Sequence, residues 1–177
     1  RRQRGYRTTR ELAETMPGSN LTAAILENIE SGRKADLSIS QLLNIARALT
    51  IPPSYLLAPM GRPDSPLDLP NLSDAFAGTT AAEFDSWFAA IPTSAYRAST
   101  AAERTDIDQL NALRELHGRR REATRLRAVL QIHDESGDPD LTAARPLTEE
   151  RLADVISDIR RLEQYLESAG FLLVETT

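Results

Sequence analysis

Helix-starting signals recur along the chain and limit what it can fold into. Four times a Ser or Thr is followed three residues later by Glu or Gln, at 8–11, 38–41, 80–83 and 100–103. In such a capping box, the two side chains satisfy backbone N–H groups that the first turn of a helix leaves unpaired. Because apolar residues follow each box at helical spacing, the sequence predicts an all-α protein.

The segment 21–32 predicts a short helix with one buried face. Thr22 can cap its start, Gly32 can end it in a left-handed conformation, and Leu26 faces the core together with Ile29. Small side chains let a helix approach a groove closely, and Asn can pair with adenine through two hydrogen bonds. The outward positions are mostly small or neutral, with Ile25 at the margin: Ala23, Ala24, Glu27 and Asn28.

The motifs around this segment follow a characteristic order: RELAE at 10–14, IESGRK at 29–34 and LSISQLLNIARALTIPPSYLL at 37–57. They resemble the helix-turn-helix domain of the phage-repressor and XRE family of transcriptional regulators. The resemblance implies a lambda-repressor-like helix-turn-helix domain over residues 1–57. Its recognition helix, at about Thr22–Glu30, would lie in the major groove of double-stranded DNA.

By the family's pattern, two groups of residues would contact DNA. Base edges would face the outer positions of the recognition helix, which are Thr22, Ala23, Ala24, Ile25 and Asn28. Phosphates would lie near the helix ends and the following loop, at Thr9, Arg10, Ser31, Arg33 and Lys34.

The chain departs from the family in two ways. Family members often carry an amide side chain near the starts of both motif helices, where this chain has Thr9, Ala23 and Ala24. We therefore expect contact with thymine methyl groups or reading of DNA shape at those positions. Only residues 1–6 precede the motif, so the chain is expected to be clipped there or to begin inside the helix that usually comes first.

Charge is distributed unevenly along the chain. Residues 1–60 contain eight Lys or Arg and five acids, a net charge of +3, whereas the whole chain carries −5, which leaves −8 for the remainder. A basic part joined to an acidic part is what DNA binding through one end predicts, although an ordinary solvated surface is the alternative. The basic run 119–127 has two interpretations, a second DNA contact or an ion-paired helix face.

The proline-rich stretch 58–72 predicts a linker, because proline denies helices and sheets an amide donor. Residues 73–177 would then form a helical dimerisation or regulatory domain. A helix from Thr80 would carry the apolar stripe Phe84, Trp87, Phe88 and Ile91, which indicates core or interface packing, with a ligand pocket as the alternative.

A long helical hairpin is predicted after this stripe. Its first helix would run from about Thr100 to about His133, through Gly118, where glycine weakens a helix. An acidic turn would follow at 134–140, and the second helix would begin at Pro146 or Thr148 and end at Gly170.

Catalytic and membrane-spanning signals are lacking. No Cys, HExxH, GxSxG or glycine-rich phosphate loop accompanies His117 and His133, so we expect no enzymatic activity, metal or cofactor. No apolar run reaches the roughly 18 residues that span a membrane. We expect a soluble, cytoplasmic protein that has no membrane partner and joins the nucleoid when it binds DNA.

These patterns predict a sequence-specific DNA-binding transcriptional regulator, a repressor in preference to an activator, that forms a homodimer through residues 73–177. A phage immunity repressor and a host regulator both fit. The alternative is a protein-interaction module, such as an antitoxin or adaptor, that acts through the C-terminal amphipathic helices.

Overall fold

A computed structural model confirms the all-α prediction. The structure describes residues 1–34, 36–92, 95–136 and 139–173, and no β-strand occurs within these ranges. Short 3-10 turns at Arg2–Arg4 and Asp74–Phe76 accompany the α-helices. The α-helices are α1 (Thr9–Glu14), α2 (Ala23–Glu30), α3 (Ile39–Leu49), α4 (Ser54–Leu57), α5 (Ala81–Phe88), α6 (Ala101–Ser136) and α7 (Pro139–Ser168).

The predicted capping boxes mark the helix starts. Both halves of the box form at α1, α3 and α5. At α6 the Thr100 hydroxyl accepts a hydrogen bond from the Glu103 N–H at 3.1 Å, whereas the Glu103 carboxylate accepts from the Ser99 N–H at 2.7 Å. The sequence therefore locates these helix starts correctly from local hydrogen-bonding chemistry alone.

The first three helices enclose a small apolar core. Ile25, Ile29 and Tyr6 pack against its rim, and the Tyr6 hydroxyl donates to the Ala48 carbonyl at 3.1 Å. The core thus packs α2 against α1, and α3 contributes two of its buried residues. Its buried residues are Leu12, Met16, Leu21, Leu26, Ile45 and Leu49.

The chain divides into two compact units, the first made mainly of Arg1–Ala89 and the second mainly of the residues from Arg97 onward. This division differs from the predicted linker at 58–72, because that stretch packs against α5 within the first unit. Leu67 and Leu69 lie on a core of Ala58, Ala81 and Phe84. Prolines remove only their own amide donors. The residues between them still bury apolar side chains and form hydrogen bonds, such as the 2.8 Å bond from the Leu67 N–H to the Thr79 carbonyl.

The aromatic stripe is shorter than predicted, since α5 ends at Phe88 and Ile91 lies beyond it. Phe84 is buried and stacks on Phe88, with ring centroids 5.6 Å apart. Trp87 meets Phe76 edge to face at 5.5 Å. Phe84 thus contributes to the core of the first unit, whereas Trp87 and Phe88 remain partly exposed beside it.

The long helices α6 and α7 form the predicted hairpin, and α6 continues through Gly118. Its seam buries Ala112 and Leu116 against Leu162 and Leu166. Gly170, at φ +90°, ends α7, and the Phe171 N–H bonds back to the Leu166 carbonyl at 3.0 Å.

The predicted start of α7 is wrong. The helix begins at Pro139, with Pro146 inside it, and the first residues of the predicted acidic turn, 134–136, belong to α6. Proline is tolerated in a first helical turn, where its missing N–H would be unpaired anyway, so Pro139 can start the helix. Residues 137 and 138 of that turn lie outside the described residues. None of the described helices has the length and apolar composition needed to cross a membrane.

We expect Leu166→Ala to lower the free energy of unfolding by about 2–5 kcal/mol, because it empties a fully buried site in the hairpin seam. Urea denaturation followed by circular dichroism measures the loss, since α6 and α7, with 36 and 30 residues, dominate the helical signal. The matched control is Leu172→Ala, at a side chain 97% exposed, which should change stability by less than about 0.5 kcal/mol. Equal losses in both variants would contradict this packing.

Candidate nucleic-acid interface

The local sequence determines where α2 begins and ends. The Thr22 hydroxyl accepts a hydrogen bond from the Ile25 N–H at 3.3 Å, which caps the start of the helix. Gly32, at φ +71°, turns the chain after the last residues of α2. The Lys34 N–H then donates to the Asn28 carbonyl at 3.0 Å. This bond holds the basic pair Arg33–Lys34 against the end of the helix.

The five predicted base-reading residues differ in their exposure to solvent. Thr22 and Ala24 are exposed, Ala23 and Asn28 are half-buried, and Ile25 packs partly against the core. The Asn28 side chain has no hydrogen-bond partner among the described residues, so both its donor and its acceptor can bind a ligand. Asn28, the polar side chain predicted to contact a base, is thus available for hydrogen bonding. The side chains of Ala23 and Ala24, nearer the start of the helix, are short.

The predicted phosphate contacts divide into two sets. Ser31 and Arg33 are exposed and Lys34 is half-buried beside the end of α2. No acidic partner is found for Arg33 or Lys34 in the described part of the chain. Arg33 and Lys34 therefore form a basic edge next to the end of α2, close in sequence to the exposed Ser31.

Arg10 and Thr9 differ from that edge. Arg10 pairs with Glu14 at 3.3 Å on the open surface. Because an exposed ion pair contributes little stability, Arg10 could leave Glu14 for a DNA phosphate at little cost in free energy. Thr9 is only 7% exposed, and its hydroxyl donates to Glu27 Oε1 at 3.2 Å. Its side chain faces α2, a position that the family pattern alone does not indicate.

An ion pair that the sequence analysis missed holds the end of α2. Arg1 binds Glu30 through two hydrogen bonds, from Nε at 2.5 Å and from Nη2 at 2.9 Å. The other guanidinium nitrogen donates to the carbonyls of Tyr6 and Arg7, at 2.9 and 2.6 Å. These bonds lower the pKa of the Glu30 carboxyl, chiefly because Arg1 donates to it, and raise the pKa of Arg1.

One signal for this pair was present in the sequence. Glu30 is the last residue of α2, where the helix dipole disfavours a negative charge unless a cation compensates it. The sequence does not, however, identify which of the several arginines that cation is.

The basic run on α6 is partly used within the hairpin. Arg119 pairs with Asp158 at 3.3 Å, and Arg120 pairs with Glu163 at 2.8 Å. Arg121 and Arg125 are exposed, and no ion pair is found for them among the described residues. Two arginines of the run thus tie α6 to α7, while Arg121 and Arg125 face solvent.

Among the described residues, no cluster of His, Asp and Glu could hold a metal ion. Comparisons with protein families, curated proteins and solved structures found no match for this chain. The resemblance to the XRE family therefore stays a prediction. The case for a function rests on the geometry around α2.

We expect the Arg1–Glu30 pair to stabilise the fold at neutral pH and to weaken in acid. Because the folded-state pKa of Glu30 lies below its unfolded value, the contribution is present above the ordinary carboxyl range and is lost as pH falls through the lowered pKa. Glu30→Gln should therefore be less stable than wild type at neutral pH, and the gap should close as pH falls through the lowered pKa of Glu30.

Urea midpoints across that pH range measure the effect. Glu14→Gln is the control, because its pair with Arg10 is exposed at both ends and should add little stability at any pH. A gap between wild type and Glu30→Gln that stays constant with pH would contradict the prediction.

Proposed function

We propose that this chain is a sequence-specific double-stranded DNA-binding transcriptional regulator that acts as a repressor, with α2 in the major groove. The observation that carries the proposal is the surface of α2. There Asn28 and short side chains lie beside Arg33 and Lys34, and no side-chain partner is found for these three polar residues within the described ranges. A polar side chain flanked by cations matches the way proteins bind DNA. Contacts to bases specify the site, and contacts to phosphates position the protein. Repression is favoured over activation because occupancy of a promoter is sufficient for it.

The size of α2 supports a major-groove position. A major groove about 12 Å wide accepts a helix, and Ala23 and Ala24 let the start of α2 approach the bases closely. These alanines can contact thymine methyl groups but form no hydrogen bonds with bases. Asn28 is then the principal adenine reader, and the shape of the flanking DNA supplies further selectivity.

Dimerisation would supply the affinity that one such helix lacks. Two half-site contacts coupled through the second unit gain from effective concentration, as in other regulators with two-fold symmetric sites. The exposed apolar side chains of α6 and α7 are candidates for the contact between protomers. They are Leu110, Ile132, Leu147 and Tyr165.

The same exposed residues favour a second candidate function, that of an interaction module such as an antitoxin or adaptor. Leu147 is 72% exposed and Ile132 is 56% exposed, so both apolar side chains are accessible to another protein. In such a protein the hairpin would bind another protein, and the cations near α2 would be dispensable.

Reversal of Arg33 and Lys34 to Glu distinguishes the two functions. In a DNA-binding protein this double variant should weaken binding to every sequence. It should also reduce the slope of log affinity against log salt by about 2, because two fewer phosphate contacts mean that fewer counterions are released when the protein binds. Fluorescence anisotropy with a labelled duplex at several salt concentrations measures both quantities.

The matched control is reversal of Arg121 and Arg125, a second exposed and unpaired basic pair in the described structure. If the Arg121/Arg125 variant binds DNA as tightly as wild type, the loss of binding in the Arg33/Lys34 variant is specific to the α2 surface. Loss of binding in both double variants would instead extend the interface to α6. Unchanged DNA binding in the Arg33/Lys34 variant would contradict the proposed function.

Asn28→Ala tests base reading separately from charge. We expect it to lower the preference for adenine at one position by about 1–3 kcal/mol and to leave the salt dependence unchanged, because the amide contacts a base and not a phosphate. Competition between duplexes that differ only at that base pair measures the effect. A uniform loss across all sequences would contradict a reading role.

Sedimentation of the full chain at micromolar concentration tests the proposed homodimer. We expect a dimer that Leu147→Asp weakens, since this change charges one of the most exposed apolar side chains of the hairpin. A chain that remains monomeric, both free and on a two-fold symmetric duplex, would contradict dimerisation.

A further inference from the structure

The outward face of α2 carries one charged side chain that the proposed contacts leave unused. Glu27 is exposed, and its Oε1 atom accepts a hydrogen bond from the Thr9 hydroxyl at 3.2 Å. We propose that Glu27 is a specificity-determining residue that accepts a hydrogen bond from cytosine, and that Thr9 is the residue that positions it. This inference rests on the proposed DNA-binding function.

The position of Glu27 on the helix supports this role. It follows Ala23 by four residues and Ala24 by three, so it lies on the same face as both and adjoins Asn28. The Glu27 side chain is exposed and is longer than those of the two alanines. Glu27 is therefore accessible to a surface that approaches this face.

The contact with Thr9 restricts the Glu27 side chain before any ligand binds. A free glutamate loses substantial rotamer entropy when it is fixed. Thr9 is only 7% exposed and belongs to the first turn of α1, so its hydroxyl is a rigid donor. Glu27 Oε2 has no hydrogen-bond partner in the described part of the chain, which leaves one carboxylate oxygen available to a base.

The chemistry of a carboxylate favours one base. An ionised carboxylate only accepts hydrogen bonds. In the major groove, cytosine presents the N4 amino donor, whereas guanine presents the acceptors N7 and O6, which repel a negative charge. Thymine offers no donor, and adenine places an acceptor beside its donor. Glu27 should thus select cytosine and reject guanine most strongly.

An acid in a DNA interface also weakens binding to all other sequences. Its charge repels phosphates everywhere, and only a site with a matching donor compensates for that cost. Such a residue improves discrimination more than affinity, because it acts against incorrect sites. Arg33 and Lys34 nearby, which have no acidic partner among the described residues, supply the general attraction to phosphates that an acid on this face requires.

Selection of duplexes from a random library, with the full chain, tests the inference. Wild type should enrich cytosine at one position of each half-site, with a cytosine duplex bound about 5-fold or more tighter than its guanine counterpart. Glu27→Gln should change that preference from cytosine to adenine, because an amide pairs with adenine through two hydrogen bonds. Asp64→Asn removes an exposed carboxylate elsewhere in the first unit, for which the described structure shows no ion pair, and should retain the wild-type motif.

Variants of Thr9 test the positioning role. Thr9→Val keeps the side-chain shape but removes the hydroxyl, so the cytosine preference should flatten. Thr9→Ser keeps the hydroxyl and should preserve that preference. Thermal midpoints of all variants, measured alongside, detect a merely structural role, which would lower stability without changing the selected base.

The outcomes separate this inference from the function on which it rests. If Glu27→Gln selects the same motif as wild type, Glu27 does not read a base, and the proposed regulator is retained. If Thr9→Val keeps the full cytosine preference, the positioning role is overturned. If wild type enriches no sequence at all, both the inference and the proposed function fail.

Discussion

The candidate site depends on stabilising a helix that is too short to persist alone. Isolated helices shorter than about 12–15 residues are marginal in water, and α2 has eight residues. Three contacts compensate: Leu26 is buried in the core, Thr22 caps the first turn, and Arg1 neutralises Glu30 at the last residue. Each acts at a different part of the helix, so its outward face is held in place along its whole length. Asn28 and the basic pair after α2 derive their positions from this arrangement.

Local chemistry explains which parts of the fold were predictable. The starts of α1, α3 and α5 follow from a hydroxyl and a carboxylate or amide three residues apart, and the end of α7 follows from Gly170. Features that depend on distant residues were not predictable. Arg1 meets Glu30 and Thr9 meets Glu27 across 29 and 18 residues of sequence, and no local pattern encodes those distances. The prolines of 58–72 suggested a linker because their effect on backbone hydrogen bonding can be read from the local sequence. The burial of Leu67 and Leu69 depends on residues of α5, which the local sequence does not reveal.

Basic residues that form ion pairs and those that lack them have different roles in the described structure. In the hairpin, Arg119, Arg120 and Arg151 each pair with an acid on the facing helix, so much of their charge is neutralised within the fold. Beside α2, Arg33 and Lys34 lack such partners in the described structure. The net charge of −5 therefore says little about the local field near α2. A paired arginine stabilises its own fold, and an unpaired one retains its attraction for an external anion.

The packing of the proline-rich stretch has a practical consequence for dissecting the protein. Composition alone would suggest cutting the chain near residue 57 to isolate the first four helices. Such a fragment would separate Leu57, at the end of α4, from the apolar cluster around Ala81 and Phe84 against which it packs. It would also remove the backbone hydrogen bonds that connect Ser65 and Leu67 to the start of α5. A fragment that keeps this packing should instead extend through Ala89, the last residue of the main segment of the first unit.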